Sequence, residues 1–198
     1  MLFKYKDIVK PDVTAWVSGC SHAFHKNICF GSSTWNDKIN NCRPYDDELI
    51  MTDSMIYNIN SKIKKDDVFF LLGDVAFGGH NNVNTFLSAL NCENIYISFG
   101  NHDKQIVHPK AKYVGDYIEL RMNDNSLVCM FHYPIYSWNE QHHGSIHLYS
   151  HVHGKLRGKE IGRSMDVGMD TNNMFPYKLS ELVTQLKQIP SIFYRSGH

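Results

Sequence analysis

A chain of 198 residues is long enough for one domain with a sizeable core and short for two, so residues 1–198 are expected to form a single domain. Twenty Lys and Arg offset twenty Asp and Glu, which removes any overall basic field that would mark the protein for nucleic acid or a membrane surface. There is no N-terminal apolar run of signal-peptide length and nothing near the roughly 18 apolar residues of a membrane span, so a soluble, cytoplasmic protein is expected.

The run TAWVSGC (14–20) ends in Gly and a polar residue, the pattern of a buried strand feeding a loop, and HKNICF (25–30) follows with helix-like spacing. Residues 46–63, DDELIMTDSMIYNINSKI, place apolar side chains at 49, 50, 55, 56, 59 and 63 behind an acidic start, which predicts a helix. DVFFLLGD (67–74) is a second strand, giving a β-α-β unit. NTFLSALN (84–91) predicts another helix, and NIYISFGNHD (94–103) a third strand that again ends in Gly and polar residues. YVGDYIELRM (113–122) and SLVCMFHYP (126–134), separated by NDN, predict a β-hairpin. SIHLYSHVHG (145–154) and GRSMDVGMD (162–170) continue with strands. KLSELVTQLKQI (178–189) closes with an amphipathic helix carrying Leu179, Leu182, Val183 and Leu186 on one stripe. The fold class expected is α/β, in part α+β: two mixed β-sheets packed as a sandwich and flanked by helices.

The strand ends collect one kind of residue. After the first strand stand Cys20 and His22; after the second, Asp74; after the third, Asn101, His102 and Asp103; later come His132, His151 and His153. Any one of these is more ordinarily a turn or a satisfied polar contact. As a set at the carboxyl ends of strands, where side chains converge on a crevice, they read as a site. Mixed His, Asp and Asn ligands suit Zn, Fe or Mn. A bridging carboxylate holds two cations about 3.5–4 Å apart, and Asp74 is the natural candidate. Five cysteines, scattered and odd in number, fit reduced thiols better than a disulfide framework.

The series Cys20-x-His22, GDVAFG, GNHD, HYP and SHVHG resembles, in order, the D-x-H, G-D-x-x-x-x-G, G-N-H-D/E, H and G-H-x-H motifs of the calcineurin-like metallophosphoesterase superfamily, over residues 14 to about 170. HKNI, CRPY and MDVGMD further resemble FGHKNI, NRPF and NVGVD of a compact bacterial and bacteriophage branch. The resemblance implies a metallophosphoesterase-like fold and two divalent metal ions (Mn, Fe or Zn). The first would be held by Cys20, His22, Asp74 and His153, the second by Asp74, Asn101, His132 and His151. It also implies that His102 is the catalytic histidine near the leaving group, with Asp103 orienting its imidazole, and that a metal-bridging hydroxide attacks phosphorus in line.

Cys20 is the main departure, since the superfamily has aspartate there; Ser150 and Phe24 replace glycines. A thiolate offers one soft sulfur and must first lose a proton. Three readings stand: a working ligand favouring Zn or Fe(II), a weak or empty first site, or a replacement that lowers turnover. A plain buried cysteine is the unassuming alternative. His25 and Asn27 either cap the following helix or, for His25, touch substrate. Arg43 either pairs with Asp46 or Asp47 or reaches a substrate phosphate. His142, His143 and His147 read as a surface loop.

The expected function is a metal-dependent phosphoesterase, foremost a phosphodiesterase acting on a small phosphoester of nucleotide or cyclic-nucleotide type. Trp35, Tyr45, Tyr136 and Trp138 sit in loops where they could stack on a base. The neutral charge disfavours a long nucleic acid, and no membrane is expected. The alternative is a binding or scaffold protein with a weakened site, and the intact GNHD motif weighs against it.

Overall fold

The segment Val68–Leu72 (β3) is apolar at every position and wholly buried, as in a strand covered on both faces. In the computed structural model, which describes residues 1–191, β3 is the middle of a five-stranded sheet. Its parallel neighbours are Ala15–Gly19 (β2) and Asn94–Ser98 (β4); beyond β4 lies Ala111–Gly115 (β5), also parallel, and beyond β2 the antiparallel Tyr177–Lys178 (β10). A second mixed sheet runs Leu2–Lys4 (β1), Tyr117–Arg121 (β6), Leu127–Phe131 (β7), Ile146–Tyr149 (β8) and Ser164–Asp166 (β9) in that order; only β6 and β7 pair antiparallel.

Alternate side chains of the first sheet serve two cores. Phe69, Leu71, Ile95 and Ile97 face helices Glu48–Lys62 (α3) and His80–Ala89 (α4), meeting Met51, Met55, Ile59, Phe86 and Leu87. Val17, Phe70 and Leu72 face the second sheet, against Ile118, Leu120, Val128, Met130, Ile146 and Leu148. Leu179–Leu186 (α5) buries Leu179, Leu182, Val183 and Leu186 in this inter-sheet core, the stripe read from sequence. Short helices Tyr5–Ile8 (α1) and Lys38–Asn41 (α2) complete the set. A two-sheet α/β arrangement with helices is therefore present as expected. Among the described residues no helix is long and apolar enough to cross a membrane.

Four local expectations are corrected. The strand 113–122 is two strands: β5 pairs with β4 in one sheet and β6 with β7 in the other, so the chain changes sheets at Asp116. HKNICF forms only a 3-10 turn over Lys26–Ile28. Helix α4 begins at His80, four residues before the expected start. In α3, Leu49 and Ile50 are 59% and 49% exposed, because the buried face follows the four-residue steps Met51, Met55 and Ile59. Asp47 caps this helix by accepting from the amides of Leu49 (2.9 Å) and Ile50 (2.8 Å).

Candidate metal centre

The carboxyl ends of β2, β3, β4, β7 and β8 meet at one edge of the sandwich. Backbone bonds tie them: the Cys20 amide donates to Gly73 O (2.9 Å), the His22 amide to Asp74 O (2.8 Å), and the Ser150 amide to His132 O (2.9 Å). Cys20 (φ 50°), His22 (49°), Asp74 (52°), His151 (66°) and His153 (50°) all hold left-handed backbone, which non-glycine residues adopt rarely. Such strain costs on the order of 1–3 kcal/mol per residue and persists only where surroundings over-determine it, a pattern concentrated at functional sites.

Asp103 supplies part of that determination. Its carboxylate accepts from the amides of Asp74 (2.7 Å), Val75 (3.0 Å) and Gly100 (2.8 Å), holding the loops after β3 and β4 together. This corrects its expected role: both oxygens are engaged by backbone, and no bond to the His102 imidazole forms. Gly73 and Gly100 permit the close approach. A Cβ on Gly73 would lie 2.5 Å from the Gly100 nitrogen, and one on Gly100 would lie 2.3 Å from Asp74 Oδ1.

The Asp74 carboxylate occupies the centre. Its Oδ2 lies 3.5 Å from His22 Nε2 and 3.4 Å from His132 Nε2, while Oδ1 accepts the His102 amide at 2.9 Å. His132 Nε2 also lies 3.1 Å from Asn101 Oδ1 and 3.2 Å from His151 Nδ1; its Nδ1 faces Leu72 O at 3.0 Å. A proton on Nδ1 donated to that carbonyl leaves the Nε2 lone pair for a ligand, the tautomer metal-binding histidines commonly adopt. The potential ligand atoms of Cys20, His22 and His153 lie within 4.8 Å of one another, and so do those of Cys20, Asp74 and His132. All seven ligand-type residues expected from sequence thus gather at one place.

The fit to cations has a direct sign. His22 is 5% exposed, and neither ring nitrogen has a hydrogen-bond partner among the described residues. Leaving buried polar atoms unpaired costs about 1–3 kcal/mol each, a cost a cation between Cys20, His22, Asp74 and His153 would remove. Burial, then the nearby Arg43 charge, holds the His22 pKa far below its usual value and keeps the ring a neutral donor. Burial alone would raise the Asp74 pKa; a bond from His132 Nε2–H, whose proton a cation at that nitrogen would replace, and the His102 amide outweigh it and keep the carboxyl ionised. Burial pushes the Cys20 thiol well up, while its sulfur accepts the His151 amide at 2.9 Å.

Asp170, the last residue of MDVGMD, joins the site without being expected there. Its Oδ2 lies 2.7 Å from His153 Nδ1, orienting that ring as a carboxylate behind a metal-ligating histidine does. Arg43 grips Asp170 through Nε and Nη2, both at 2.8 Å, and donates to the carbonyls of Ser21 (2.7 Å) and Cys20 (2.6 Å). Its side chain is buried, which corrects both expectations for it: the partner is Asp170 rather than Asp46 or Asp47, and no donor is free to reach a substrate phosphate. A planar guanidinium is suited to this double grip.

His25 sits beside His22, ring centroids 5.6 Å apart, and 3.8 Å from the Phe77 ring; it makes no side-chain cap. Asn27 instead accepts from Thr34. His147 is fully buried, with Nδ1 3.2 Å from Cys129 O and Nε2 3.3 Å from Tyr133 O, so it belongs to the core, whereas His142 and His143 are exposed as expected. Trp138 is also buried, its Nε1 donating to Ser145 O, and is unavailable for stacking.

No family profile and no curated protein matches this chain. Among solved structures, it is similar to a protein of unknown function from Aquifex aeolicus, with a TM-score of 0.64 and 14% identity over 88% of this chain and 100% of that one. At this identity, the likeness shows a shared fold and nothing of activity.

Proposed function

We propose that this chain is a dinuclear-metal phosphoesterase of the calcineurin-like metallophosphoesterase type, foremost a phosphodiesterase on small nucleotide-like substrates. The observation that carries the reading is the Asp74 Oδ2 atom, 3.5 Å from His22 Nε2 on one side and 3.4 Å from His132 Nε2 on the other. One carboxylate oxygen between two groups of imidazole, amide and thiol donors is what a bridging ligand requires. Cys20, His22, Asp74 and His153 would hold one cation; Asp74, Asn101, His132 and His151 the other. Bound there, Mn, Fe or Zn ions supply Lewis acidity, neutralising phosphoryl oxygens and acidifying water. The sulfur of Cys20 tilts the first position toward Zn or Fe(II).

The chain's own groups do the remaining work. The Nδ1 contacts of His132 and His153 hold their rings in one orientation. His102 is exposed, and its main chain is anchored to Asp74 Oδ1, so its imidazole borders the metal ligands where it can pass a proton to a leaving oxygen. His102→Ala should therefore lower hydrolysis of bis-p-nitrophenyl phosphate by about 100-fold or more. An unchanged rate would remove His102 from the chemistry.

A second reading, a site that binds without efficient turnover, is favoured by one observation. Cys20 is wholly buried and its thiol is held protonated by that burial, so a cation must displace the proton before sulfur can ligate. Absence of hydrolysis with Mn, Zn and Fe(II), with the metals bound, would select this reading.

A further inference from the structure

Next to His102 lies a cavity of about 710 Å³. None of the seven ligand-type residues lines it; Phe77, Val83, Ile106 and Val107 form apolar walls, and five polar residues, His102 and Lys104 among them, also line it. This size, and apolar walls with polar residues set among them, suit a small-molecule site, typically about 300–1,000 Å³. Val107 is 63% exposed, an apolar wall open to solvent.

His102 joins the cavity to the metal ligands. Its ring centroid is 5.7 Å from that of His22 and 4.9 Å from that of Phe77. A phosphoester with phosphorus at the two candidate cation positions and its leaving oxygen beside His102 would bring the group carried by that oxygen to this cavity. The half-buried Phe77 ring offers that group an aromatic surface.

We propose that this cavity receives the leaving group of the phosphoester, and that the group is a planar ring system, either an aryl group or the base of a nucleoside. The proposal rests on the phosphoesterase reading for the phosphorus position. It moves base recognition from Trp35, Tyr45, Tyr136 and Trp138 to Phe77 and the 104–107 loop.

The test is calorimetric titration of the Mn-loaded protein with methylphosphonate, phenylphosphonate and adenosine 5′-monophosphate, repeated in Val83→Phe, which fills the cavity, and Val107→Asp, which makes its exposed wall polar. Phenylphosphonate should bind about tenfold more tightly than methylphosphonate, as burial of a ring predicts. Both variants should bring that ratio toward one. If Val83→Phe fails to fold, the surface change Val107→Asp carries the test. Tighter binding of the nucleotide than of phenylphosphonate, lost in the variants, identifies a nucleoside leaving group; parity identifies an aryl one. Equal binding of methyl- and phenylphosphonate, or a ratio untouched by both variants, overturns the proposal and leaves the phosphoesterase reading intact. Failure to take up Mn, Zn or Fe(II) and to bind either phosphonate overturns the reading beneath it as well.

Discussion

At Cys20, the sulfur lies among the donor atoms of His22, His153, Asp74 and His132, so this side chain points into the site rather than only into the core. An aspartate there would supply a hard, already ionised oxygen, and Cys20→Asp should raise Mn-supported phosphodiester hydrolysis by about tenfold, within the sensitivity usual for metal-site ligands. No gain accompanied by loss of zinc would make the thiolate the proper ligand. His147 offers a test away from the metal ligands. Burial lowers its pKa to about 4, against bonds to Cys129 O and Tyr133 O that favour the charged form. Its neutral form is the folded one, so its stabilising contribution is complete above the unfolded pKa near 6.5 and lost as pH falls from there toward 4. The loss should reach about 3 kcal/mol at pH 4. Denaturant unfolding across pH 7 to 4 should show a shallower decline in His147→Gln than in the unmodified protein, and parallel declines would contradict this. Residue identities at the candidate metal centre were legible because each follows an apolar run. Roles set by distant partners were not: Arg43 in CRPY meets Asp170 in MDVGMD across 127 residues, and neither segment names the other as its partner.

Among the elements, the loops after β3 and β4 are fitted to one another through two glycines. Gly100→Ala would drive a methyl group to 2.3 Å from Asp74 Oδ1 and 2.5 Å from the Asp74 amide nitrogen. The loop must shift, costing about 1–3 kcal/mol and displacing the central carboxylate. A lower melting temperature together with weaker metal uptake is expected; unchanged values in both would mean the contact is not holding Asp74. The parallel strands β2, β3 and β4 were legible as apolar runs ending in Gly and polar residues. The break between β5 and β6 was not: Gly115 and Asp116 disfavour a strand, but the strand-rich residues on both sides run on without a longer turn signal while the chain changes sheets. Edge strand β1 and the two-residue β10 carry too little pattern to read alone.

For the whole molecule, two sheets bring their strand ends to one edge, so residues from position 20 to position 170 share a single site. The two-sheet arrangement followed from alternating β and α segments and then a β-rich half, but the convergence of left-handed backbone at five candidate ligand positions could be seen only in three dimensions. Metal content per chain, measured by elemental analysis after loading with Mn or Zn and removal of free ions, tests the central claim most directly. The account predicts two ions per chain and a marked fall in Asp74→Asn, which removes the shared charge. Failure of the unmodified protein to retain metal, or the same content in both proteins, would contradict it.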